Sequence, residues 1–171
     1  MEIKIKELGK IITGNTPSKT VAEFWNSEDI CFVKPDIISE KGVNEILGSK
    51  EYISEKARKK ARIVSENSIF ITCIGSIGKI GIASEGEYAF NQQINAIVPE
   101  QDEVMYLYWL MQLSKPMIHH TINMALKGIL SKGQLAELTF PFPPLELQEQ
   151  FEAFVEQTDK SKLYGKMEVA A

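Results

Sequence analysis

The chain has 171 residues, 44% of them hydrophobic and 25% charged, with a formal net charge of −4. That is an ordinary composition for one globular domain, and a chain of this size buries about 70% of its unfolded surface without staples. The acidic balance argues against a generic nucleic-acid binder, and no apolar run reaches the roughly 18 residues of a membrane span.

The opening MEIKIKELGK carries charges where a signal peptide would be apolar, so none is expected. Within it, EIKIKEL alternates apolar and polar residues, which predicts a half-buried strand. TGNTPSK then predicts a turn built on Gly14, Asn15 and Pro17. DICFVKPDII predicts a strand through Val33 that breaks near Pro35. YISEKARKKARI predicts a short helix with Ser54 as N-cap. Residues 50–79 carry 7 basic and 3 acidic side chains, and Lys56, Arg58, Lys59, Lys60 and Arg62 are the densest part. Such local polarity matters more to a polyanion than the net charge does.

NSIFITCIGSIGKIGIAS predicts a strand over 69–74, a glycine turn over 75–78 and a strand over 79–83. Cys31 and Cys73 fall in separate apolar runs, as expected of buried, reduced thiols in a cytoplasmic protein. YAFNQQINAIVPE predicts a buried strand ended by Pro99, yet Asn91, Gln92 and Gln93 sit in its first half. A buried amide without a partner costs about 1–3 kcal/mol. These side chains therefore satisfy local backbone or meet a polar ligand.

Past residue 100 the period changes. Val104, Leu107, Tyr108 and Met111 predict an amphipathic helix with Asp102 as N-cap, which Pro116 stops or follows with the next. MIHHTINMAL predicts a second helix ending near Gly128, and Ser131 with Gln134 a capping box. LTFPFPPLELQ, with three prolines between 141 and 144, predicts no regular element. In LELQEQFEAFVEQTDKSKL, residues Leu147, Phe151, Phe154 and Val155 form an apolar stripe, and the helix is expected to fade after about five turns. The chain thus divides into a body over 1–145 and a C-terminal helix with its tail over 146–171.

Catalytic patterns are weak. A metal-dependent nuclease around Asp36 needs a second acid and a lysine converging on the metal, and no Glu-x-Lys follows at a strand's distance. GSIGK lacks the first glycine and the Ser/Thr of a phosphate loop. Gly75-x-x-Gly78 matches the clamp of a KH domain, but there the turn joins two helices. His119 and His120 are adjacent and point about 100° apart on a helix, so they cannot chelate one metal together.

The order of motifs carries more than any one of them. TGNTPSK, FWNSEDICFVKPDI, YISEKA, SIFITCIGSIGKIGIA, FNQQINAIVP, YLYWLM and ALKGILSKGQLAELTFPFPPLELQEQF follow one another in the succession of a type I restriction–modification specificity subunit. The chain resembles one target-recognition domain of that family over roughly residues 3 to 160. The resemblance implies an α+β, β-rich domain with helices in its second half and a C-terminal coiled-coil-type helix.

It also implies a non-catalytic, DNA-reading component with no cofactor of its own. The expected partners are double-stranded DNA, a modification subunit that methylates adenine with S-adenosylmethionine, and a restriction motor subunit. Family members usually carry two recognition domains, and this chain shows one. It would then pair as a homodimer on a palindromic split target, or stand as a silent cassette or an excised domain. A stand-alone nuclease using Asp36, or a protein-interaction module without DNA, are the other readings.

Within that frame Lys19, Lys34, Lys127 and Lys132 lie in loops able to reach a duplex. Lys56, Arg58, Lys59, Lys60 and Arg62 form the basic concentration, and Ser76 to Lys79 offers backbone amides with a lysine. Asn91, Gln92 and Gln93 either position the backbone or read a base edge, as amides do with adenine. Leu147, Phe151, Phe154 and Val155 are the expected dimer or partner seam, and Phe151→Asp is expected to spare the fold while abolishing assembly.

Overall fold

The structure, a computed structural model, describes residues 2–40, 43–100, 104–123 and 128–169, with the side chains of 121–123 and 159–169 excepted. Lys127 and Asp102, assigned above to a DNA loop and a helix cap, lie outside these residues. The described strands form three sheets. A five-stranded sheet has the order β2 (Gly9–Thr13), β10 (Ile94–Pro99), β7 (Ile69–Thr72), β8 (Ile80–Ala83) and β4 (Glu45–Ile46). A four-stranded sheet runs β5 (Glu51–Ile53), β3 (Ile30–Val33), β9 (Glu87–Phe90) and β6 (Ile63–Ser65). A ribbon joins β1 (Glu2–Lys4) to β11 (Thr139–Pro141).

Three cores stack through the body, and strand alternation sorts side chains among them. On β3, Cys31 and Val33 join Phe70, Phe90, Ile94 and Ala96 between the two large sheets. Their neighbours Ile30 and Phe32 turn the other way, onto Ile53, Ala57 and the partly buried Trp25. On β7, Ile69 and Ile71 face the helices α2 (Val104–Leu113), α3 (Lys115–Asn123) and α4 (Lys132–Glu137) through Tyr108, Met111, Ile118 and Leu135. Strands covered on both faces read as continuous apolar runs, which is why their sequences show so little alternation. Both cysteines are buried and free, and burial pushes their thiols up to about 11. The α+β expectation holds, as does the Ser131–Gln134 capping box, with the Gln134 amide donating to Ser131 Oγ at 3.2 Å.

Four local expectations are corrected. EIKIKEL is no single strand: after β1 the chain makes one helical turn, α1 (Ile5–Leu8), which buries Ile5 and Leu8 three residues apart. YISEKARKKARI divides into β5 and a short 3-10 helix over Glu55–Lys60; Ser54 stands at its N-cap position as expected, but its Oγ donates to the Glu23 carbonyl and makes no capping bond. LTFPF contains β11, whose one proline, Pro141, is tolerated because the ribbon pairs the strand on one side only. FNQQ is a break: β9 ends at Phe90 in one large sheet and β10 begins at Ile94 in the other.

The C-terminal helix α5 (Leu145–Val169) spans 25 residues, longer than the five turns expected. Its root is fastened to the body by Gln148, which is 3% exposed and donates from Nε2 to the Pro143 carbonyl at 2.8 Å.

Candidate nucleic-acid interface

The amides of FNQQ are spent largely on the passage between sheets. Asn91 is buried; its Oδ1 accepts from the Gln93 N–H at 3.1 Å, and its Nδ2 donates to Gln93 Oε1 at 3.0 Å. Gln92 Oε1 accepts from Thr16 Oγ1 at 2.8 Å. The backbone of the crossing is tied on both sides, Asn91 N–H to the Val33 carbonyl and Cys73 N–H to the Gln93 carbonyl. The buried strand expected over YAFNQQINAIVPE is interrupted here, so strand alternation does not sort Asn91, Gln92 and Gln93 between two faces.

Beside the crossing lies the β7–β8 turn. Gly75 and Gly78 adopt φ values of 77° and 85°, a left-handed region that strains any residue with a Cβ. The N–H groups of Gly78 and Lys79 donate to the carbonyl and Oγ1 of Thr72, so those two expected backbone donors are taken within the turn. Lys34, Asp36, Ser76, Lys79 and Gln93 line one open groove of about 430 Å³, although they come from three separate stretches of sequence. Lys79 Nζ donates to the Pro35 carbonyl at 3.4 Å.

A lysine pair borders the groove. Lys34 and Lys19 both donate to Glu51, Lys19 at 2.6 Å. Those two hydrogen bonds hold the Glu51 carboxyl below its usual range, and the bond to Glu51 raises Lys34. Lys19 Nζ also sits 3.4 Å above the Trp25 ring. Asp36, the acid of the nuclease reading, pairs with Lys50 at 3.1 Å. Among the described residues no group of three or more His, Cys, Asp or Glu side chains is placed to hold a metal ion.

The basic run is arranged differently. Lys56 pairs with Glu23 at 2.8 Å. Arg58 donates to Glu55 at 2.6 and 2.7 Å and to Glu87 at 2.7 and 3.0 Å. These bonds raise the guanidinium and lower both carboxyls. Arg62 Nη1 donates to the Thr13 carbonyl at 2.6 Å, and with Lys10, Thr13 and Lys132 it lines a second groove of about 510 Å³. Lys59 and Lys60 are exposed, and no described residue pairs with either side chain.

One connector escaped the sequence reading. Asn15 Nδ2 donates to the Lys60 carbonyl at 2.7 Å, its Oδ1 accepts from the Arg62 N–H at 2.8 Å, and its N–H donates to the Phe90 carbonyl. The TGNTP turn therefore ties the basic run to the sheet crossing. A Cβ on Gly14 would stand 2.2 Å from the Asn91 carbonyl, which is why glycine precedes that asparagine. The Gly-Asn pair signalled a turn; its distant partners had no local signature.

The predicted seam on α5 divides by face. Phe151 packs on Tyr106 at 5.6 Å between ring centroids and belongs to the helix-side core. Val155 is half-buried, whereas Leu147 and Phe154 are 51% and 65% exposed. Gln148, Phe151 and Val155 follow the i, i+3, i+7 spacing of a helix lying on its own body, and Leu147 with Phe154 repeats every seven residues on the outside.

The motif order and this fold define a specificity component of a restriction–modification system. The chain belongs to the family described as the type I restriction modification DNA specificity domain, which it matches over residues 1–165. It is 30% identical over 158 residues to the MjaIX specificity subunit of Methanocaldococcus jannaschii, across 86% of this chain and 35% of that one. It is 28% identical over 130 residues to the HindI specificity subunit of Haemophilus influenzae, across 75% of this chain and 27% of that one. The chain thus spans about a third of the length of the curated relatives it matches. The crystal structure of the HsdS subunit from Thermoanaerobacter tengcongensis superposes with a TM-score of 0.68 at 17% identity, over 94% of this chain and 37% of that one, a likeness of fold.

Proposed function

We propose that this chain is a target-recognition domain that reads double-stranded DNA for a type I modification complex. It carries no catalysis of its own. A partner modification subunit, bearing S-adenosylmethionine, methylates adenine where this domain docks, and a motor subunit joins for restriction. The complex works in the cytoplasm, on genomic DNA. The observation that carries this reading is the convergence of Lys34, Ser76, Lys79 and Gln93 on one groove beside the sheet crossing, in a chain of the DNA-specificity family. Lys19 at its border, and Arg62 with Lys132 in the second groove, add cations for the phosphate backbone.

One recognition domain reads half of a split target, and two copies restore the whole. Leu147 and Phe154, exposed on the outer face of α5, supply the seam for a second copy in an isologous pair. A nuclease around Asp36 has less support, since its carboxylate is held by Lys50 and the metal-site partners are lacking among the described residues.

Modification sequencing tests this reading. The chain is expressed with its modification subunit in a methylation-free host, and the genomic DNA is sequenced for methyladenine. A new split, palindromic motif is the expected result. A split but asymmetric motif would replace self-pairing with a second, different recognition domain. No motif, with both proteins present, would contradict the proposal.

A further inference from the structure

The Asn91–Gln93 pair decides what the groove can hold. Both polar atoms of the Asn91 side chain are engaged by Gln93, and Gln93 Oε1 is turned toward Asn91 Nδ2 at 3.0 Å. The Gln93 Nε2 is left as the outward group, with no partner among the described residues. A Cβ on Gly75 would lie 4.0 Å from that nitrogen, so the glycine leaves room above it. Bidentate reading of adenine needs an amide that offers one donor and one acceptor together. Here the acceptor faces inward.

What remains in the groove is a set of donors: Gln93 Nε2, the Lys79 and Lys34 ammonium groups, and the Ser76 hydroxyl, which can turn either way. Asp36, the carboxylate in the same lining, is drawn off by Lys50 at 3.1 Å. Two cations beside a neutral donor suit an anion with several acceptor oxygens. A base edge offers two acceptors at most and no charge.

We propose that Gln93, oriented by Asn91, joins Lys34, Ser76 and Lys79 in a seat for one phosphate of the DNA backbone. In this arrangement the FNQQ crossing fixes the register of the domain on the duplex and leaves base reading to other residues. Asn91 is a positioning residue: it sets which end of the Gln93 amide faces the ligand. The inference rests on the DNA-recognition reading above.

The test is duplex binding and the methylation motif, measured with the full chain in complex with its modification subunit. Gln93→Met keeps the length and removes the donor. It is expected to weaken binding about tenfold on target and scrambled duplexes alike, the size of one lost hydrogen bond to a charged group, with the motif unchanged. Gln93→Lys is expected to bind both at least as tightly as the native protein. Asn91→Asp, whose carboxylate attracts Gln93 Nε2 and turns the amide over, is expected to match Gln93→Met, and Gln93→Lys in that background to restore binding. A merely structural asparagine would not allow that rescue.

A motif relaxed at one base in Gln93→Met would make Gln93 a base reader and overturn the proposal. So would undiminished binding by Gln93→Met while the native complex binds and writes its motif, with the wider reading intact. Native complex that neither binds DNA nor writes a motif would overturn both.

Discussion

Two ion clusters on this molecule are mirror images in charge. Lys19 and Lys34 share one carboxylate, Glu51, and keep a net positive charge beside the Ser76–Lys79 turn. Arg58 is shared by two carboxylates, Glu55 and Glu87, and its cluster is net negative. Yet the second cluster lies in the densest basic stretch of the sequence and the first in none. Counting linear charge identifies cations; folding decides which ones keep a field. Within the run Lys56 meets Glu23 and Arg58 meets both Glu55 and Glu87, two cations against three carboxylates, whereas Lys19, Lys34 and Lys50 meet only Glu51 and Asp36 in ion pairs among the described residues, three cations against two.

The largest expected effect breaks the tie between the two regions. Gly14→Ala drives a methyl into the Asn91 and Phe90 carbonyls, 2.2 and 2.4 Å away, and is expected to destabilise the fold by about 3 kcal/mol in a denaturant titration. A stability within 0.5 kcal/mol of the native value would show that the TGNTP turn yields freely. Phe151→Ala opens the helix-side core against Tyr106 and is expected to remove about 2 kcal/mol, less than a fully buried phenylalanine would. Phe154→Ala, on the outer face, is expected to leave stability unchanged and to weaken self-association measured by sedimentation. The reverse ranking would exchange the two faces of α5.

Asn15→Ala sharpens the comparison. It removes both side-chain bonds to the basic run and should cost about 1.5 kcal/mol. Amide exchange should quicken at Arg62 and not at Lys79; equal acceleration at both would mean the groove and the run move as one.

The smallest effect is a pH dependence. Glu137 bonds Lys4 and Lys6, and these hydrogen bonds lower its carboxyl from 4.5 to about 2. A carboxyl lowered in the folded state stabilises above its unfolded value and loses that contribution as pH falls toward about 2. Glu137→Gln is therefore expected to lower stability slightly at pH 7, to leave it unchanged near pH 2, and so to flatten the acid limb between pH 4.5 and 2. An unchanged acid limb would remove that carboxylate from the account.

The legible parts of the sequence are those whose cause is local. The Ile69–Ala83 hairpin announced itself by apolar runs around Gly75 and Gly78, and the Ser131–Gln134 box by its spacing. EIKIKEL misled because Ile3, Ile5 and Leu8 fit alternation at first and helical spacing afterwards. FNQQ misled because a chain crossing between two buried sheets stays apolar on either side of the gap. The site residues Lys34, Ser76, Lys79 and Gln93 were each visible as polar groups, but their meeting depends on β3, β7 and β9 lying together, which no short window encodes. The stripe on α5 was visible too; its division between Phe151 inward and Phe154 outward depends on where Tyr106 sits.

The most direct test of the contrast is the salt dependence of duplex binding by two double variants in complex with the modification subunit. Lys34→Ala with Lys79→Ala, in the groove, is expected to lower the slope of log K against log salt by about 0.9, the release of counterions from the one phosphate seated there. Lys56→Ala with Arg58→Ala, the two cations of the basic run that are held in ion pairs, is expected to leave that slope within about 0.3, well under one phosphate contact. A steep loss from the run and none from the groove would contradict the account.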